Sequence, residues 1–171
     1  MHDPLAGRTL VFIAALVVLL GGCGVVGNQA RINALQDEFE STDFPYHVEP
    51  NESVSIAGPN FDRTDINERN RIGGLAQLDR DMFEVAEATL EWLPTAGWDS
   101  PVTSCDEDDG EVTATFVRAT KDLGDWQAQI RFGIGPNDEG GTIVGVHLDA
   151  PPAGEESLPR PNGDVAPCWG N

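Results

Sequence analysis

The stretch Trp126 to Ile134, WQAQIRFGI, decides the fold. Trp126, Ala128, Ile130, Phe132 and Ile134 alternate with Gln127, Gln129 and Arg131. A period of two over nine residues is that of a β-strand with one face in a core and one facing polar surroundings. Its neighbours follow the same rule. EVTATFVRA (111–119) sets Val112, Ala114 and Phe116 on one side, and TIVGVHLD (142–149) sets Val144, Val146 and Leu148 on one side. WDSPVTSC (98–105) is a weaker first strand, which Pro101 confines to a sheet edge because proline cannot donate to a ladder. The connections DEDDG, KDLGD and PNDEGG carry hairpin-turn residues. Together these segments predict an antiparallel meander of roughly four strands, with one apolar and one polar face.

The cover for the apolar face lies just upstream. In LDRDMFEVAEATLEWLP (78–94), Leu78, Met82, Val85, Ala86, Leu90 and Leu93 recur at helical spacing. Asp81, followed three residues on by Glu84, has the pattern of an N-terminal cap, with an earlier start near Gly74 as the alternative. Pro94 is the expected stop. Glu84, Glu87 and Glu91 fall on the opposite, solvated side. The expectation is an α+β domain in which a helix packs on an antiparallel sheet. That outline is similar to cystatin-like domains, a likeness of architecture with no shared motif and so no implied inhibitor function.

Further upstream, QARINALQDEF (29–39) places Ile32, Leu35 and Phe39 on one helical face. The segment 41–70 is irregular, with prolines at 45, 50 and 59, and only SVSIAG (53–58) has a strand-like pattern. The sequon Asn51-Glu52-Ser53 lies in the same segment. After the sheet, PPAGEESLPRPNGDVAP is rich in proline and acid, the composition of an extended strap.

The first residues carry an address. Arg8 precedes an apolar block from Leu10 to Leu20, which is shorter than the roughly 20 residues needed to cross a bilayer and is laid out like a secretory signal. Leu20-Gly21-Gly22-Cys23 resembles the bacterial lipobox. The resemblance implies that a diacylglycerol is joined to the Cys23 sulfur and that the leader is cut in front of it. One acyl chain holds a protein to a membrane only marginally, whereas two or three hold it firmly. The organisation expected is a signal peptide over 1–22; anchor, first helix and irregular segment over 23–75; helix and sheet over 76–150; and a tail over 151–171. Residues 23–171 then form one globular domain on the extracytoplasmic face of a bacterial cell membrane.

With Cys23 assigned to lipid, Cys105 and Cys168 remain. In an exported chain such a pair is expected to form a disulfide, which would pin the tail to the domain. The leader holds one acid, Asp3, and one strong base, Arg8, so the mature chain keeps the net charge of −19. Such a surface repels nucleic acid and anionic lipid headgroups.

Chemistry is sparse. The sequence has no GxSxG, P-loop, HExxH or Rossmann glycine pattern, and no cofactor is implied. His147 is expected on the outward face of the last strand, and Ser100 and Ser104 lack a partner recognisable in the sequence. The acidic run Asp106 to Glu111 departs from an EF-hand, since glycine comes fifth and the twelfth place is Val117. DRTDIN (62–67) departs from it in the same way. Trp92 and Trp98 flank the turn from helix to sheet. Trp98, Trp126 and His147 form the candidate ligand surface, for a peptide or a glycan. The leading expectation is a non-catalytic lipoprotein that binds or scaffolds an envelope protein or glycan. The alternatives are a small envelope hydrolase using His147, and a calcium-stabilised surface domain.

Overall fold

A computed structural model describes residues 27–50, 70–138, 140–159, 163–164 and 167–169. The lipobox-like Leu20-Gly21-Gly22-Cys23, SVSIAG, the sequon and DRTDIN lie outside them. Helix α1 occupies 27–41, followed by a two-residue strand β1 (Glu49–Pro50), β2 (Asn70–Leu78) and helix α2 (Met82–Thr95). Strands β3 (Asp99–Asp108), β4 (Glu111–Leu123), β5 (Trp126–Pro136) and β6 (Thr142–Ala150) complete the chain order. They form one open antiparallel sheet of six strands in the order β1-β2-β6-β5-β4-β3. The α+β expectation holds, and the four-stranded meander is present as β3 to β6.

The two added strands correct the sequence reading. Asn70–Leu78 is a nine-residue strand paired with β6 throughout, so Leu78 ends a strand and does not begin a helix. Its period of two is hidden because adjacent Gly73 and Gly74 carry no side chain to show it. The gap at Gly74 is filled from outside: a Cβ built there would stand 2.5 Å from Val48 Cγ1 and 2.7 Å from Phe39 Cζ.

Helix α2 starts where its cap predicts, with Asp81 Oδ1 accepting from the Phe83 amide at 2.8 Å and the Glu84 amide at 3.4 Å. The stop is displaced. Pro94 lies inside the last turn, and the chain turns at Ala96 and Gly97, where φ is +78°. The Trp98 amide donates to Leu93 O and the Gly97 amide to Pro94 O, the double closure of a Schellman motif. Trp98 and Leu93, both fully buried, supply its apolar contact. Pro94 cannot donate to the Leu90 carbonyl and crowds it, yet the helix runs on to Thr95 and ends at the glycine turn.

Cross-strand register selects the helix-side face. Val117, Phe132 and Val146 align across β4, β5 and β6, as do Ala119, Ile130 and Leu148. These residues form the core with Val85, Ala86 and Leu93 of α2 and Leu35 and Phe39 of α1. In β4 the expected face is therefore inverted: Val117 and Ala119 face the helices, while Phe116 is buried outside that core. β4 carries apolar residues at both parities, and only its pairing with β5 decides between them.

The opposite face was expected to be solvated, and it is not. Gln129, Arg131, His147 and Asp149 are all buried, as are Phe116 and the facing pair Gly133 and Gly145. The tail, as expected, is strapped down. The Glu156 carbonyl accepts from the Gln127 amide, and Thr103 and Asp164 exchange backbone hydrogen bonds at 2.7 and 2.8 Å along the β3 edge. Cys105 and Cys168 form the disulfide, and Trp169 stacks on Phe83 with ring centroids 6.4 Å apart. At the near end of the tail, Arg31 Nη1 donates to the Pro151 carbonyl at 2.8 Å while its guanidinium lies over the Trp126 ring.

Candidate functional site

The three residues of the expected ligand surface do not meet. Trp98 is fully buried against Leu93, and Trp126 lies in the helix-side core under Arg31. His147 points to the other face of β6, since Val146 and Leu148 on either side of it face the helices. Tryptophan at these positions serves burial, because a large ring at a strand start or a helix end seals the core.

His147 sits in a row of polar residues that runs across the sheet. Gly73, His147, Arg131 and Arg118 are successive register partners. In the next row Asp149, fully buried, accepts from Arg71 Nε and from Arg131 Nε, each at 2.7 Å and on separate oxygens. A carboxylate divided between two guanidiniums is satisfied on both oxygens, which permits its burial. Burial, followed by the charge of Arg71, holds the His147 pKa down to about 4, against the opposing pull of Asp149. Its imidazole is neutral at neutral pH, and Nδ1 lies 3.0 Å from where a Cβ of Gly73 would stand. Ser100 and Ser104 belong to edge strand β3, three strands away from β6. At a spacing of about 4.8 Å per strand, that is roughly 14 Å from the imidazole, far beyond proton-transfer reach.

The acidic run at the β3–β4 hairpin is a two-residue turn. Asp109 and Gly110, with φ of 51° and 84°, supply the left-handed pair that such a turn requires. Among the described residues, no group of three or more His, Cys, Asp or Glu side chains converges as a metal site. No helix among them is long and apolar enough to cross a membrane.

A concave feature lies elsewhere, where the C-terminal ends of α1 and α2 converge over the end of β4. A groove of about 340 Å³ is lined there by Glu38, Ser41, Thr42, Asp43, Trp92, Thr95, Ala96 and Lys121. Lys121 projects from β4 into the convergence. Its Nζ donates to Glu38 Oε1 at 2.7 Å and to the Ala96 carbonyl at 3.2 Å, and lies 5.7 Å from the Trp98 ring centre. One ammonium thus ties both helix ends to the sheet, where the two macrodipoles concentrate negative potential. Trp92 Nε1 donates to the Asp43 carbonyl at 2.8 Å, which fixes the loop after α1. The indole packs between Phe44 and Phe132, with ring centroids 5.6 and 6.0 Å away.

Trp92 stands out in the sequence, but the groove around it does not. Glu38 and Lys121 are 83 positions apart, and no local pattern links them. No family model, curated protein or solved structure matches the chain.

Proposed function

We propose that this chain is a lipid-anchored, extracytoplasmic protein of a bacterial envelope that binds a partner without transforming it. The anchor is Cys23 of the lipobox-like Leu20-Gly21-Gly22-Cys23, and the partner is another envelope component, a protein or a glycan. The binding site is the groove over Trp92, where Lys121 ties two helix ends to the sheet. That groove is the observation that carries the reading: it is preformed, concave and set on rigid elements, as small binding sites are.

Two further features support it. The Cys105–Cys168 bridge suits an oxidising compartment outside the cytoplasm. The groove also lies at the C-terminal end of α1, a helix over 27–41 of about 22 Å, whereas Cys23 precedes the N-terminal end of that helix in the sequence. The cystatin-like outline remains a likeness of architecture and lends no inhibitor role.

The test is the intact mass of the protein extracted from native membranes, with and without reduction. A mature chain beginning at acylated Cys23 and gaining two hydrogens on reduction is expected. A mass that retains Met1, or that lacks acyl chains, overturns the anchor. Cross-linking from a photoreactive residue at Thr95 should then capture an envelope component in the native membrane. Equal capture from the distant hairpin residue Asp109 would overturn the groove as the binding site.

A further inference from the structure

We infer that the groove takes a cationic group, specifically the ammonium of a lysine side chain presented by a basic segment of a partner protein. The inference rests on the proposed binding role of the groove and adds the chemistry of its ligand.

The donors of the groove are largely committed within it, while many of its acceptors are open. Three hydroxyls line the groove, and each spends its proton on a helix-end carbonyl. Thr42 Oγ1 donates to Glu38 O at 2.6 Å, Ser41 Oγ to Glu38 O at 3.2 Å, and Thr95 Oγ1 to Trp92 O at 2.7 Å. Trp92 Nε1 is committed to the Asp43 carbonyl. Lys121 directs its ammonium at Glu38 and Ala96. What the groove offers an incoming molecule is therefore hydroxyl lone pairs, the exposed carboxylate of Asp43 and the shared carboxylate of Glu38. Each helix end adds about half a negative charge. Lys121 is the one charged donor in the lining, and its ammonium is already paired with Glu38 and Ala96, so the acceptors that outnumber it suit a donor with several protons, such as a second ammonium.

Lys121 is the internal precedent. The fold already seats one ammonium against a carboxylate, a helix-end carbonyl and an indole face at this convergence. The Trp92 indole in the lining provides apolar surface for a lysine stem, which packs along such surface while its head stays polar. The net charge of −19 would also draw a basic segment in from a distance.

The probe is a capped pentapeptide with one lysine flanked by glycines, beside the same peptide acetylated on the lysine nitrogen. Each is titrated into the mature lipidated protein in neutral detergent, with the Trp92 indole N–H resonance as readout. Saturable shifts with the lysine peptide, and none with the acetylated one, are expected. Asp43→Asn should weaken binding about fivefold, the size of one exposed charge contact. Thr95→Arg should abolish it by placing a guanidinium in the groove. That variant is expected to fold, because a cation in the last turn of α2 suits the helix dipole.

Absence of saturation with the lysine peptide overturns the inference. Equal binding of the acetylated peptide, blocked by Thr95→Arg, overturns the cationic ligand and leaves the groove as a binding site. Binding of both peptides that survives Thr95→Arg overturns the groove as well.

Discussion

Phe39 of α1 packs end-on against Gly74 of β2, so closely that a Cβ on Gly74 would stand 2.7 Å from Phe39 Cζ. The same Cβ would meet Val48 Cγ1 at 2.5 Å and the Glu49 carbonyl at 2.8 Å. This contact seats the first helix on the sheet, and one extra carbon has no place in it. Gly74→Ala is expected to lower stability by about 1–3 kcal/mol, the usual cost of overpacking. Urea denaturation of the variant beside the parent chain measures it. An unchanged midpoint would mean that α1 is not held at this position.

Asp149 is the second test of packing. It is fully buried and bridges Arg71 and Arg131 at 2.7 Å each. Asp149→Ala leaves two guanidiniums facing each other without their shared carboxylate. The expected loss is about 3–5 kcal/mol, as for other broken buried pairs. Arg71→Gln should cost less, since the Arg71 side chain keeps 19% of its surface in solvent and Arg131 still pairs the carboxylate. Thermal unfolding of both variants ranks them, and the reverse order would contradict the network.

His147 makes stability depend on pH. In the unfolded chain its imidazole takes a proton near pH 6.5, and in the fold only near pH 4. Between these values the unfolded state binds more protons, so stability falls as pH drops through the window. The contribution is complete above pH 6.5 and fully lost below pH 4. Its size is about 3 kcal/mol, at about 1.4 kcal/mol per pH unit. Carboxylates add their own acid dependence, so the measurement is the difference between the parent chain and His147→Leu across pH 7 to 4. Parallel curves would show that His147 is not buried neutral.

The disulfide ties the tail to edge strand β3 across 63 positions. Cys105→Ser with Cys168→Ser should cost about 4 kcal/mol on the chain-entropy account of a loop that long. It should also release Trp169 from Phe83, where the rings now stack at 6.4 Å. Near-UV circular dichroism reports the aromatic loss, and denaturant titration reports the stability. Full retention of both signals would mean that the Thr103–Asp164 backbone bridge holds the tail by itself.

The central sheet was legible because its signal is local. In WQAQIRFGI each apolar residue sits two places from the next, and that period survives whatever packs nearby. The Asp81 cap was legible for the same reason: its carboxylate reaches amides only two and three residues on. The pairing of Cys105 with Cys168 followed from composition, since two cysteines were left after the lipobox-like site. β2 was not legible, because Gly73 and Gly74 owe their identity to Phe39, Val48 and His147, which lie elsewhere in the chain.

The sequence by itself determined the α+β class, the edge position of β3, the solvated acids of α2 and the strap of the tail. Tertiary structure alone decided which side of β4 meets the helices, since its two parities differ little in polarity until β5 pairs with it. It alone buried the polar residues Arg131, His147 and Asp149 of two neighbouring rows, where charge pairing offsets desolvation that no strand pattern encodes. And it alone made the groove, because a site built from two helix ends and a lysine on a distant strand exists only once those elements have packed.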